Sequence, residues 1–330
     1  DTFSSGAAKI IAGTLAITSG TYNANGNTTT ITGLTTINGG TFTGGSGAVD
    51  MNGDVSIVSG TFSAPTGTFT VAGNWTDAGA GSFEEGASTV TFDGGGDQTI
   101  VANEAFTNLK ISNATSTTTI RSFALVLGGT LEITSGTLNM NNLSSTISGL
   151  ATVNGGTLTL SNAPAMHTFN GGLSVPGSAV NGGSADVDIN GNLTISAGTF
   201  TAPTGTLYIS GNFTHSGGTF THNSGTVKLD GTNQTITGTT TFNHFTKTTT
   251  AAAALTFPSS ETQTIAGTLT LQGAAGNLLT LQSSATGTQW KLDPQGTRVI
   301  SYADVKDSNN TNTTASCPPY PFTWTVRWPS

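Results

Sequence analysis

The sequence predicts an all-β chain wound as a right-handed parallel β-helix, a solenoid of about 15 coils of roughly 20–22 residues each. Three observations predict it: a short glycine-threonine repeat whose spacings are often 7 or 20, a long duplication in which one copy has gained a coil, and strand alternation throughout without a helical pattern.

The repeat is Gly-Thr followed by Leu, Phe or Tyr. It starts at Gly13, Gly20, Gly40, Gly60 and Gly67, and again at Gly129, Gly136, Gly156, Gly198, Gly205, Gly218 and Gly267. The step from Gly13 to Gly20 is 7 and the step from Gly20 to Gly40 is 20. Seven residues make one short strand and a corner, so three such sides close a coil of about 20. Within a side, apolar and polar residues alternate, as in Phe69 and Val71 against Thr68 and Thr70. Alternation of period two sends one set inward and the other outward. Gly and Asn at the corners permit the sharp bends. The right hand follows from the crossover rule for parallel strands.

The duplication is longer. Residues 13–21 match 129–137, an offset of 129 − 13 = 116, and 36–41 match 152–157 at the same offset. Residues 61–68 match 199–206, where the offset is 199 − 61 = 138. The growth of 22 is one coil, which a solenoid accepts because each repeat touches only its neighbours. The expected organisation is one continuous solenoid over residues 1–308. Its unit at 13–115 is echoed at 129–250, and a degenerate third unit runs from 267. Residues 309–330 form a polar linker and an aromatic C-terminal strand or cap.

Composition narrows the function. Charged residues make up 8% of the chain and the net charge is −8, with nine scattered Lys and Arg. Nucleic-acid binding needs clustered positive charge, so it is excluded. No apolar run reaches the length of a membrane span. The chain opens on Asp1 rather than Met, as a processed, exported product would, its signal peptide already removed.

Units such as Gly73-Asn74-Trp75-Thr76, Thr89-Val90-Thr91-Phe92-Asp93-Gly94 and Gln98-Thr99-Ile100, echoed between residues 211 and 236, carry a resemblance. The chain resembles the Gly/Thr-rich repeats of bacterial surface and adhesin-like proteins with right-handed parallel β-helices. That resemblance implies export to the cell surface or beyond, and structural or adhesive work. The expected function is an extracellular structural subunit assembling end to end into a filament. An adhesin stalk or carbohydrate-binding module is the alternative. A polysaccharide-active enzyme or an ice-binding protein comes third.

Candidate site residues are few. Asp93 and Asp97 flank three glycines and could place oxygens around a cation, but the turn recurs at Asp230 and Asp293, which reads better as corner capping. No catalytic elbow, zinc motif or phosphate loop occurs, so no catalytic residue and no cofactor is assigned and the chain is read as a non-enzyme. Asp186 with Asp188, the pair Glu84-Glu85, and His167, His215, His222 and His244 are read as structural. Thr-x-Thr pairs at Thr68/Thr70, Thr199/Thr201, Thr219/Thr221 and Thr268/Thr270 are expected on different sides, which argues against an ordered water-binding face. Specificity is expected at the ends. Ile10 and Ile11 lie in a strand-like run near the N-terminus. Tyr320, Phe322, Trp324, Val326 and Trp328 alternate strictly near the C-terminus and serve as a self-cap or a subunit contact. Cys317 is available for an intermolecular disulfide. The expected partners are a second copy of the chain and surface glycans.

Overall fold

The structure is a computed structural model that describes residues 1–312; the sequence-predicted tail residues Cys317, Tyr320, Phe322, Trp324, Val326 and Trp328 lie outside the described residues. The described chain is all-β, without a helix, and its parallel strands stack as a β-solenoid of about 15 turns. It divides into two compact units, Asp1–His167 and Thr168–Ser330. Among the described residues no helix is long and apolar enough to cross a membrane.

In the first unit each early coil has three sides. One side stacks Lys9–Ile11, Thr29–Ile31, Val49–Met51 and Phe69–Val71, with Lys9 opposite Thr29, Thr29 opposite Val49 and Val49 opposite Phe69. Each step is therefore 20 residues, the spacing read from the glycines. The second side stacks Leu15–Ile17 on the leading halves of strands Thr35–Thr43, Val55–Ser63 and Trp75–Glu84. The third stacks Thr2–Ser4 and Thr21–Asn23 on the trailing halves of the same long strands.

Parallel register converts sequence alternation into continuous interior columns. Ile31, Met51, Val71, Phe92, Ile111, Ile133 and Val153 form one, all buried. Tyr22, Phe42 and Phe62 form another, with ring centroids 5.3 Å and 4.7 Å apart. Rings at this spacing are offset-stacked, adding attraction to the burial of their large apolar area. The third column runs Ile17, Ile37, Ile57 and then Asp77.

The second unit begins with the same 20-residue step: Leu173 lies opposite Leu193, Ala179 opposite Thr199 and Val187 opposite Leu207. Later coils depart from the expected 20–22 residues. Thr226 meets His244 (244 − 226 = 18), Phe245 meets Leu269 (24) and Leu269 meets Arg298 (29). The sides keep register and the corners absorb the difference. The corner after strand Leu269–Gln272 holds a small turn closed by an antiparallel bridge between Ala274 and Asn277.

The Thr-x-Thr pairs are less dispersed than the sequence predicts. Thr199 stacks on Thr219 and Thr201 on Thr221, so these two pairs share one side. Thr70 instead lies between Asp50 and Thr91, and Thr270 between Thr246 and Val299. The 20-residue step between 199 and 219 is one full coil, which superposes the two pairs. The shared run covers two coils, because the coil before it presents Ala179 and Asn181 at those positions.

Candidate functional site

Most polar side chains named from the sequence serve the coil stack itself. Asp97 Oδ1 accepts from the Thr117 amide at 2.8 Å, and Asp186 Oδ1 accepts from the Thr206 amide at 2.7 Å. Each carboxylate thus holds the corner of the next coil. Asp93 sits at a corner, where its amide donates to the Val71 carbonyl, and partial burial and then the nearby Asp50 carboxylate hold its carboxyl above the usual range. Asp230 accepts from Ser210 Oγ at 2.8 Å and Asp293 from Gln295 Nε2 at 3.0 Å. Glu84 accepts from Ser63 Oγ at 2.7 Å. His222 and His244 accept backbone amides of Ser224 and Thr268 through Nδ1, at 3.0 and 2.9 Å, and His215 Nδ1 lies 3.0 Å from Thr240 Oγ1. Among the described residues no three His, Cys, Asp or Glu side chains gather as a metal centre.

The two ends are chemically distinct from the flanks. Strands Thr2–Ser4, Lys9–Ile11 and Leu15–Ile17 pair on one edge only, with the second coil. Ile10 is 74% exposed there, Ile11 half-buried and Phe3 51% exposed. The interior of the last described coils holds an apolar cavity of about 150 Å³. Leu269, Leu281, Trp290, Leu292, Ile300 and Val305 line it.

Two groups, Asp77 and Lys247, were not singled out from the sequence, and a third, His167, was named there only as structural; alternation marks a position as inward without showing what burial does to a charged occupant. Asp77 sits in an isoleucine column, buried, with neither carboxylate oxygen hydrogen-bonded to the protein. Burial, and then the Glu104 carboxylate, push its pKa up to about 6. Lys247 occupies the equivalent kind of position in the second unit, opposite Leu271. It is fully buried and donates to Gln234 Oε1 at 2.5 Å and to the Gly231 carbonyl oxygen. Burial lowers its pKa to about 8 against a weaker opposing pull from Asp230. Gln234 Nε2 in turn donates to the carbonyls of Ile209 and Gly211, at 2.8 and 2.6 Å. Gln98 does the same to Val71 and Gly73 in the first unit, where Asn113 rather than a lysine donates to its Oε1, at 2.7 Å. His167 is the third group: Nε2 accepts the Ser161 amide at 2.9 Å and Nδ1 lies 2.9 Å from Ser145 Oγ.

A shallow cleft of about 550 Å³ opens on one corner of the second unit. Asp230, Thr248, Thr250, Gln272, Ser301 and Tyr302 line it, each from the same corner of successive coils. The bridged turn after Gln272 raises one wall, so the lengthened coil creates the concavity.

Fold and surface together define, among the described residues, a parallel β-solenoid with hydrogen-bonded polar corners, an apolar cavity in the last described coil and a polar cleft in the second unit. Compared with known proteins, the chain matches no family model, no curated protein and no solved structure.

Proposed function

We propose that the protein is a structural β-solenoid of the cell exterior that assembles end to end with further copies of itself. The observation that carries this reading is the pair of surfaces that the first and the last described coils present. The first coil offers three strands with one edge free, and the last described coil offers an apolar interior. In a parallel stack every coil is the template for the next, and unpaired strand edges recruit further strands. A second copy arriving head to tail supplies strands running in the required direction, and the exposed Phe3, which continues the interior column of Tyr22 and Phe42, meets apolar surface. A structural rather than catalytic role is supported by the engagement of the acidic side chains in corner hydrogen bonds, which spreads them along the stack.

Sedimentation velocity and electron microscopy across a concentration series test the reading. Assembly into polar filaments is expected, and Ile10→Lys is expected to suppress it, because a charge on a free edge opposes pairing. Monodisperse particles at the highest concentration, both for the full chain and for a chain ending at Asn312, would overturn it. The shortened chain separates an end covered by its own tail from one that never pairs.

A further inference from the structure

We infer that the cleft between Asp230 and Tyr302 binds a short neutral saccharide. This goes beyond end-to-end assembly, since a single subunit suffices to bind.

The lining is mixed in the way a sugar ring requires. Exposed hydroxyls of Thr248 and Thr250 stand beside one carboxylate and one carboxamide. Asp230 uses Oδ1 to accept from Ser210, which leaves Oδ2 as an acceptor towards the cleft. Gln272 donates through Nε2 to Ser301 Oγ at 3.1 Å, which leaves its Oε1 to accept. Tyr302 adds an aromatic surface that is 54% exposed. Pyranose rings carry hydroxyls at their rim and C–H groups on their faces. They therefore match a site with hydrogen-bonding groups around one open ring.

The position of Tyr302 is deliberate in a physical sense. Its backbone φ is +50°, a left-handed conformation that bulky side chains rarely adopt. The Leu279 amide donates to its carbonyl at 2.9 Å and holds the corner in place. A glycine would adopt this conformation without strain, yet a tyrosine stands there with its ring in solvent.

Size and charge restrict the ligand. The cleft spans four consecutive coils, and three steps of ~4.8 Å give about 14 Å, the length of roughly three pyranose units. Its volume falls within the usual range for small-ligand sites. Lys247, which donates to the Gly231 carbonyl oxygen, is buried, and no Lys or Arg is among the described residues that line the cleft to hold an anionic sugar. A single carboxylate is too few for a hard cation, which takes several oxygen ligands.

The test titrates the full-length protein with maltotriose, cellotriose and tri-N-acetylchitotriose. Isothermal calorimetry gives affinity, and saturation-transfer NMR identifies the sugar protons that touch the protein. Binding of at least one trisaccharide is expected, with transfer strongest to ring C–H protons. Tyr302→Gly removes the ring and the backbone strain together, so it folds at least as well as the parent. It is expected to weaken binding at least about tenfold, while Tyr302→Phe retains binding within about threefold. Asp230→Asn is expected to weaken it as well. The proposal is overturned if none of the three sugars binds at about 10 mM, or if Tyr302→Gly and Asp230→Asn bind like the parent. Because binding is read on single subunits below any assembly concentration, a failure here leaves filament formation separately testable.

Discussion

Asp77 and His167 are buried in the same unit and titrate with opposite consequences. The Asp77 carboxyl is raised from 3.8 to about 6, so the folded state prefers its protonated form. Its contribution to stability is present below pH 3.8 and is lost as pH rises to 6. Burial lowers His167 from 6.5 to about 4, because a second ring proton would face the Ser161 amide. The folded state here prefers the neutral ring, so stability is gained as pH rises from 4 to 6.5. Each shift is worth on the order of 3 kcal/mol across its window. The two slopes therefore offset one another between pH 4 and 6 in the parent protein. Denaturant unfolding between pH 3.5 and 7 is expected to show Asp77→Asn gaining stability with rising pH relative to the parent, and His167→Gln losing it. Parallel curves for parent and variants would refute both assignments. Lys247 obeys the His167 sign at higher pH: the parent is expected to gain stability from pH 8 to 10.5 relative to Lys247→Met.

Sides and corners of the coil respond differently to substitution. Phe62 is fully buried and stacked on Phe42, so Phe62→Ala is expected to cost about 3–5 kcal/mol in chemical unfolding. Phe3 caps the same column but is half exposed, so Phe3→Ala is expected to cost no more than about 1 kcal/mol. Corners fail by backbone collision instead. Gly60 has φ +91°, and a Cβ there would collide with the carbonyl oxygen of Gly40 in the coil below. Gly95 meets nothing within 4 Å and carries no positive φ. Gly60→Ala is expected to destabilise by about 2–4 kcal/mol while Gly95→Ala stays within about 0.5 kcal/mol. Equal midpoints for the two would contradict the close approach of the coils at Gly60. These differences mark how far the sequence could be read. The 20-residue glycine step and the inward Phe and Ile positions were legible, because a parallel stack with constant coil length copies its register into the sequence. The cleft was not. Its residues lie 18, 24 and 29 positions apart in the register of their coils, and no fixed period joins Asp230 to Gln272 or Ser301. Asp77 and Lys247 were hidden for a different reason. They occupy inward positions of an otherwise apolar alternation, and only the burial around them reveals their altered chemistry.

A stack in which each coil contacts only its neighbours makes a demand on the whole molecule: it should lose a coil without losing its fold, provided that the piece removed is one complete turn. The second unit permits a clean version of this experiment. Leu173, Ala179 and Val187 lie opposite Leu193, Thr199 and Leu207, so all three sides advance by the same 20 residues. Deleting residues 182–201 joins Asn181 to Ala202. Ala202 then occupies the place of Gly182, and Leu207 that of Val187. Ile209 takes the place of Ile189, Phe213 that of Leu193 and Phe220 that of Phe200, and the half-buried His215 takes that of Ile195. Deleting only residues 182–191 joins Asn181 to Asn192 instead. That sets Leu193 and Ile195 into a corner and rotates each later side by half a turn against the coil beneath. The 20-residue deletion is expected to keep the parent's mean residue ellipticity and a cooperative melt, with a modest fall in midpoint for the lost interface. The 10-residue deletion is expected to lose cooperativity and become protease-sensitive. If both deletions unfold alike, the second unit behaves as one indivisible core rather than a stack of separable coils. If both stay folded, strand register is not what holds the coils together.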